Sequence, residues 1–138
     1  MLNTILIDTG PLVALFDKDD PHHKRILAFI EGKRFKFVTT TAVVTEATHL
    51  LDFNVQVQIQ LMQWILKEGI LLQEISVPDI GRVIELTKKY SDRPMDFADA
   101  TLVIAAEQTG IRKIISIDSD FDIYRLPGKV LIENIFKE

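Results

Sequence analysis

The chain has no cysteine, and it contains no apolar stretch that approaches the length of a membrane span. The first absence excludes disulfides, thiolate metal sites and a cysteine nucleophile. The second absence excludes a transmembrane helix, which needs roughly 20 consecutive apolar residues. The N-terminus also lacks the basic segment and small-residue cleavage site of a secretory leader. From the sequence we therefore expect a cytoplasmic protein that is not inserted in a membrane.

Positive charge is the scarcer sign. Lys and Arg number 16 against 20 Asp and Glu, which gives a formal net charge of −4. This balance excludes a protein that binds nucleic acid through a broad basic surface, but it leaves room for local basic patches. The 138 residues show neither an internal repeat nor a linker-like change in composition, so residues 1–138 are predicted to form a single domain with one core.

Short apolar runs alternate with helical patterns along the chain. The runs that predict strands are 5–7, 35–38, 70–75, 114–118 and 130–132. The segments that predict helices are 11–16, 22–30, 41–51, 54–68, 78–90 and 94–108. Strands that alternate with helices predict a three-layer α/β/α fold around a mainly parallel central sheet, similar to a Rossmann arrangement.

The segment 54–68 carries apolar side chains on two sides of a helix. The first side holds Val55, Ile59, Met62 and Leu66, and the second holds Val57, Leu61, Trp64 and Ile65. We predict that the first side packs on the core and that the second meets another helix, in this chain or in a second subunit. A homodimer is therefore expected.

Carboxylates interrupt apolar surroundings at four places. Asp8 and Asp118 each end a predicted buried strand, and the carboxyl ends of parallel strands share one edge of a sheet. Glu46 borders the buried side of a predicted helix, and Asp99 lies in the first turn of an almost wholly apolar one. Asp96 and Asp99 alone could serve as a helix cap and as a first-turn acid. Placing four acids in apolar surroundings costs folding free energy unless they share a partner. A hard divalent cation would be a partner for all of them.

Four short motifs follow one another along nearly the whole chain. They are IDTGPL at 7–12, TE at 45–46, MDFADA at 95–100 and SIDSDF at 116–121. Together, and in this order, they resemble the PIN domain, the fold of VapC-type ribonuclease toxins and related nucleases. Ser116 stands where that family usually has threonine, and the hydroxyl group is kept.

The resemblance implies a metal-dependent endoribonuclease that hydrolyses RNA phosphodiester bonds. The family's acidic quartet corresponds to Asp8, Glu46, Asp99 and Asp118, the further metal ligands to Asp96 and Asp120, and the substrate-binding residues to Thr9 and Ser116. The implied cofactor is Mg²⁺ or Mn²⁺, which lowers the pKa of a bound water and neutralises charge on the phosphate. The implied partners are an RNA substrate and an antitoxin protein, since a domain that stands alone suits the toxin of a toxin–antitoxin pair.

Two other functions stay open at this point. One is a PIN-fold protein that binds RNA or a partner without cleaving it, and the other is a housekeeping RNA-processing nuclease. An EF-hand calcium loop that begins at Asp118 is excluded, because Ile123 and Lys129 replace the glycine and glutamate that such a loop requires. Because a net-acidic chain must still hold a polyanion, we expect Lys36, Arg93 and Arg125 at the rim of the acidic site.

Overall fold

A five-stranded parallel sheet forms the centre of the structure, a computed structural model that describes residues 3–93 and 95–136. In order across the sheet, the strands are β3 (Ile70–Leu72), β2 (Phe35–Thr39), β1 (Asn3–Ile7), β4 (Lys113–Ile115) and β7 (Glu133–Asn134). Every pairing in this sheet is parallel. The carboxyl ends of the strands therefore lie along one edge, and the central strand β1 delivers Asp8 to it.

Helices flank the sheet. They are α1 (Thr9–Phe16), α2 (His23–Ile30), α3 (Thr41–Leu50), α4 (Val55–Leu66), α5 (Ile80–Lys89) and α6 (Phe97–Thr109). This arrangement confirms the predicted α/β fold class. No helix within the described residues combines the length and the apolar character needed to span a membrane.

Helix α6 runs through the interior, and its two ends follow from the sequence. The Asp96 side chain accepts a hydrogen bond from the Asp99 backbone N–H at 2.8 Å and so caps the first turn. Gly110 ends the helix with a φ of 81°, a left-handed conformation that glycine adopts without steric cost. All residues from Ala98 to Ala106 are buried. The helix starts three residues later than predicted, and the predicted start at Pro94 lies outside the described residues.

Helix α4 shows that the prediction for its two faces was wrong. Val55 and Leu66 are 62% and 83% exposed, whereas Leu61 is fully buried. The Trp64 ring packs 5.7 Å from the ring of Phe37 on β2 and covers the backbone of Gly69 so closely that a Cβ there would overlap the indole. Helical periodicity identifies two apolar faces, but only this contact with the sheet decides which face is the inner one.

The end of the chain also differs from the prediction. The segment predicted as a last sheet strand forms β6 (Val130–Leu131), which pairs antiparallel with β5 (Arg125–Leu126) in a separate hairpin. The edge strand of the main sheet is β7 instead. Strand β4 ends at Ile115, earlier than predicted, because the Asn134 side chain pairs with both backbone groups of Ser116 and replaces the next ladder step.

Candidate active site

Asp8 ends β1 and caps α1. One carboxylate oxygen accepts a hydrogen bond from the Thr9 backbone N–H at 2.8 Å, and the other accepts one from the Ser116 hydroxyl at 3.0 Å. Only 5% of the residue is exposed. The strand end, the helix cap and the hydroxyl therefore hold this carboxylate in one orientation at the edge of the sheet.

Ser116 links the ends of two neighbouring strands. Its hydroxyl lies 3.0 Å from Oδ2 of Asp8 and 3.5 Å from Oδ1 of Asp118. The Asn134 side chain accepts from the Ser116 N–H at 3.2 Å and donates to the Ser116 carbonyl at 2.9 Å. This double contact from the edge strand β7 fixes the backbone that carries the hydroxyl. Asn134 was not identified from the sequence, because its role depends on a strand pairing 18 residues away.

Asp99 projects from the first turn of α6 and is buried. The Tyr124 hydroxyl donates a hydrogen bond of 3.0 Å to Oδ2 of Asp99. Sequence reasoning missed Tyr124 as well. The available signal was a tyrosine close to the acidic segment 118–122, since a buried phenol needs a hydrogen-bond partner.

The electrostatics connect the aspartates into one group. The pKa of Asp8 is raised from 3.8 to about 7, mainly by burial and in addition by the nearby charges of Asp118 and Asp96, while the hydrogen bonds from Thr9 and Ser116 oppose the change. Burial likewise raises the pKa of Asp99 to about 8, together with repulsion from Asp8, Asp96 and Asp118. The carboxylates of these strand and helix ends therefore repel one another across a site that is shielded from water.

Glu46 occupies the neighbouring groove. This half-buried residue of α3 lines a cavity of about 600 Å³ together with His49, Asp96 and Phe97. Asp96 is thus shared, since it faces this cavity and also contributes to the repulsion at Asp8 and Asp99. The structure therefore relates Glu46 to the buried aspartates through Asp96.

The remaining predicted residues lie close by. The Asp120 backbone N–H donates to Oδ1 of Asp118 at 3.0 Å, and its carboxylate pairs with Arg93 at 3.5 Å. The hydroxyl of Thr9 is buried, and no atom of the described residues forms a hydrogen bond with it. A buried hydroxyl without a partner is rare, and a water or a substrate oxygen would satisfy it.

The oxygen-containing side chains of this site are chemically suited to bind a hard divalent cation. They offer carboxylates and hydroxyls, which are the ligands that Mg²⁺ and Mn²⁺ choose. Within residues 3–93 and 95–136, no three acidic or histidine side chains form a ready-made cage for an ion. The fit therefore rests on the buried, mutually repelling Asp8 and Asp99, whose negative charge a cation would offset.

Of the basic residues expected at the rim, two lie near the site and one does not. Arg93 pairs with Asp120, and Arg125 directly follows Tyr124. Lys36 pairs in register with Thr4, near the beginning of the parallel strands, so it lies at the opposite edge from Asp8. The prediction for Lys36 was wrong, because the acids lie at the carboxyl ends of the strands and Lys36 is the second residue of β2.

Comparisons with known proteins agree with this geometry. Residues 5–126 match the family described as PIN domain. The chain is similar to Ribonuclease VapC26 of Mycobacterium tuberculosis, with 28% identity over 118 residues that cover 83% of this chain and 86% of that protein. It also resembles the crystal structure of Mycobacterium tuberculosis VapC20, described as a sarcin-ricin loop cleaving toxin. That likeness has a TM-score of 0.77 at 20% identity and covers 86% of this chain and 92% of the other.

Proposed function

The chain belongs to the PIN domain family, and on that premise we propose that it is a metal-dependent endoribonuclease that hydrolyses RNA phosphodiester bonds. The observation that carries this proposal is the shared repulsion of Asp8 and Asp99 at the carboxyl edge of the sheet, with Asp96 and Asp118 beside them. Buried acids that repel one another are typical of a functional site, and a bound cation would offset their repulsion.

The metal in this proposal is Mg²⁺ or Mn²⁺. The residues that would hold it are Asp8, Glu46, Asp99 and Asp118, with Asp96 and Asp120 as auxiliaries. When bound, such an ion lowers the pKa of a water molecule and offsets the charge that develops on the phosphate.

The protein's own residues would orient the acids. The Ser116 hydroxyl holds one oxygen of Asp8, and the Tyr124 hydroxyl holds one oxygen of Asp99. Such partners of metal-binding carboxylates set their direction and basicity. The Thr9 hydroxyl is buried and has no hydrogen-bond partner among the described residues, and in this proposal it would bind a phosphate oxygen that enters the site.

We further propose that this ribonuclease is the cytoplasmic toxin of a toxin–antitoxin pair. The similarity to Ribonuclease VapC26, and a fold like that of a toxin that cleaves the sarcin-ricin loop, support this assignment and favour a structured RNA as substrate. The gene immediately upstream provides a direct test. A short reading frame whose product binds and inhibits the protein would support the toxin, and a housekeeping context without such an inhibitor would support an RNA-processing nuclease.

A protein partner is supported by the surface around α4. Exposed apolar side chains gather between residues 50 and 66, namely Leu50, Phe53, Val55, Met62 and Leu66. Clusters of this kind on a protein surface mark interaction sites. We propose that this face contacts a second subunit or the antitoxin.

Purified protein incubated with a structured RNA tests the central proposal. Cleavage should require Mg²⁺ or Mn²⁺ and stop with chelator. Asp8→Asn and Asp99→Asn should reduce cleavage by several orders of magnitude. Asp52→Asn, a change of the same type at an exposed position outside the site, should not reduce it. A protein that binds the RNA but leaves it intact with every metal would be the non-catalytic alternative.

A further inference from the structure

A second cavity, lined by basic side chains, lies beside the acidic site. It encloses about 520 Å³ between the outer side of α5 and the β5–β6 hairpin. Its charged lining consists of Arg82, Lys89, Arg125 and Lys129, and no acidic residue takes part in it. In a chain with a net charge of −4, such a concentration of positive charge needs an explanation.

Three of the four charges are available to a ligand. Arg82 is already engaged, since it forms ion pairs with Glu107 at 2.7 Å and Glu85 at 3.1 Å. For Lys89, Arg125 and Lys129, by contrast, no carboxylate of the described residues lies within ion-pair distance. The cavity therefore presents a net positive charge.

Arg125 is held in place by its own surroundings. Its guanidinium donates to the backbone carbonyls of Asp122 at 2.6 Å and Tyr124 at 3.0 Å, and its backbone N–H donates to the Tyr90 hydroxyl at 2.9 Å. A fixed guanidinium loses little conformational freedom when it binds an anion.

Two consecutive residues connect the cavity with the acidic site. The Tyr124 hydroxyl contacts Asp99, and the next residue, Arg125, lines the basic cavity. The rings of Tyr90 and Tyr124 pack with their centroids 5.0 Å apart, and the ammonium group of Lys89, the residue before Tyr90, lies 5.4 Å from the centroid of the Tyr90 ring. The basic cavity and Asp99 are therefore connected through the consecutive residues Tyr124 and Arg125.

Lys129 adds a separate observation. It has a φ of 62°, a left-handed conformation that disfavours side chains with a Cβ, and it directly follows Gly128, which has a φ of 77°. Glycine or asparagine would suit this turn better. The lysine is therefore not explained by the turn, whereas a binding role for its ammonium group would explain it.

We propose that this cavity binds a backbone phosphate of the RNA substrate, next to the phosphate that enters the acidic site, through Lys89, Arg125 and Lys129. The inference rests on the proposed ribonuclease function and extends it to the path of the strand. Arginine and lysine are the side chains that bind phosphate in proteins, and a phosphate fits a cavity of this size and sign. Contact at a second phosphate would hold the strand against the repulsion of the aspartates.

Another cavity with basic side chains, at the opposite edge of the sheet, provides the matched control. It encloses about 540 Å³ and is lined by Lys36, Arg112 and Lys113, among others. Lys36 and Lys113 lie near the beginning of the parallel strands, away from the carboxyl edge that carries Asp8. Removing charge there changes the net charge of the protein equally but should leave RNA binding near the wild-type value.

The test compares Lys89→Ala, Lys129→Gly and Lys113→Ala by the affinity for a fluorescent single-stranded RNA over a range of salt concentrations, with Asp8→Asn in every protein to prevent cleavage. Loss of one phosphate contact should reduce the slope of log K against log salt by about 0.7. We expect this reduction, with weaker binding, for the first two variants and not for Lys113→Ala. In the cleavage-competent protein, the same two should raise KM and leave kcat unchanged.

The Lys129→Gly variant separates a loss of RNA binding from a loss of stability. Glycine relieves the left-handed conformation, so this variant should melt at or above the temperature of the wild type while it binds RNA less well. Equal slopes for all three variants in a protein that cleaves RNA would overturn the inference and leave the proposed function intact. Absence of both cleavage and RNA binding in the wild type would instead contradict the proposed function itself.

Discussion

The Tyr124 hydroxyl donates a 3.0 Å hydrogen bond to Oδ2 of Asp99, and it thereby joins the C-terminal hairpin region to the start of α6. This bond lowers the pKa of Asp99, whereas burial and the neighbouring carboxylates raise it. A residue outside the acidic group therefore influences how readily one of its members carries charge.

Tyr124→Phe tests this influence. Loss of the hydroxyl removes the hydrogen bond that favours the ionised form, so the pKa of Asp99 should rise and the acid limb of the pH–rate profile should move to higher pH. Activity near pH 7 should fall by roughly 10- to 100-fold, as expected when a partner of a metal-binding group is removed. Tyr90→Phe is the control for the pH shift, because its hydroxyl accepts a hydrogen bond from the Arg125 backbone N–H and does not contact Asp99. An equal shift of the acid limb in both variants would contradict the proposed influence of Tyr124 on Asp99.

The pH dependence of stability follows from the raised pKa values. Folding moves the pKa of Asp8 from 3.8 to about 7 and that of Asp99 to about 8. Between pH 4 and pH 8 the folded state therefore retains protons that the unfolded state has released, and the free energy of unfolding should fall as the pH rises. Urea denaturation in the presence of chelator measures this. Asp8→Asn and Asp99→Asn should each flatten the dependence, and a wild type that gains stability from pH 5 to pH 8 would disagree.

Divalent metal should reverse this loss. An ion that binds only the folded state stabilises it by about 2.7 kcal/mol at a concentration 100 times its Kd. Mg²⁺ or Mn²⁺ should therefore raise the Tm of the wild type at pH 8 more than that of Asp8→Asn or Asp99→Asn. Without metal, each variant should melt at the same temperature as the wild type or higher, because one repelling charge is gone. If Asp99 served only as a first-turn acid, Asp99→Asn would instead cost up to about 1 kcal/mol without any metal effect.

The exposed face of α4 predicts an assembly. Leu66→Ser should weaken a dimer or an antitoxin complex without lowering the Tm, because Leu66 is 83% exposed and adds little to the core. Sedimentation velocity at low micromolar concentration measures the dimer. Ile84→Ser, at an exposed apolar position on α5, is the matched control. A wild type that sediments as a monomer, and an antitoxin that binds both variants equally, would remove this face as an interface.

The sequence by itself determined the fold class and the location of most acids. Apolar runs that each end in a carboxylate predict strands whose carboxyl ends share an edge, and this suffices to bring Asp8 and Asp118 to the same region. Asp96 and Gly110 mark the ends of α6 through local chemistry, a side-chain cap and a left-handed residue. These features depend on neighbours within a few residues, which is why they can be predicted from sequence patterns.

Tertiary structure alone decided the features that depend on contacts between distant segments. The inner face of α4 was decided by the packing of Trp64 on Phe37 and Gly69, and the position of Lys36 by its register with Thr4. Tyr124 meets Asp99 across 25 residues only because the chain turns back after β4. Hydrophobic patterning specifies which sides of an element are apolar, but the partner of each side is selected by the packing of the whole chain.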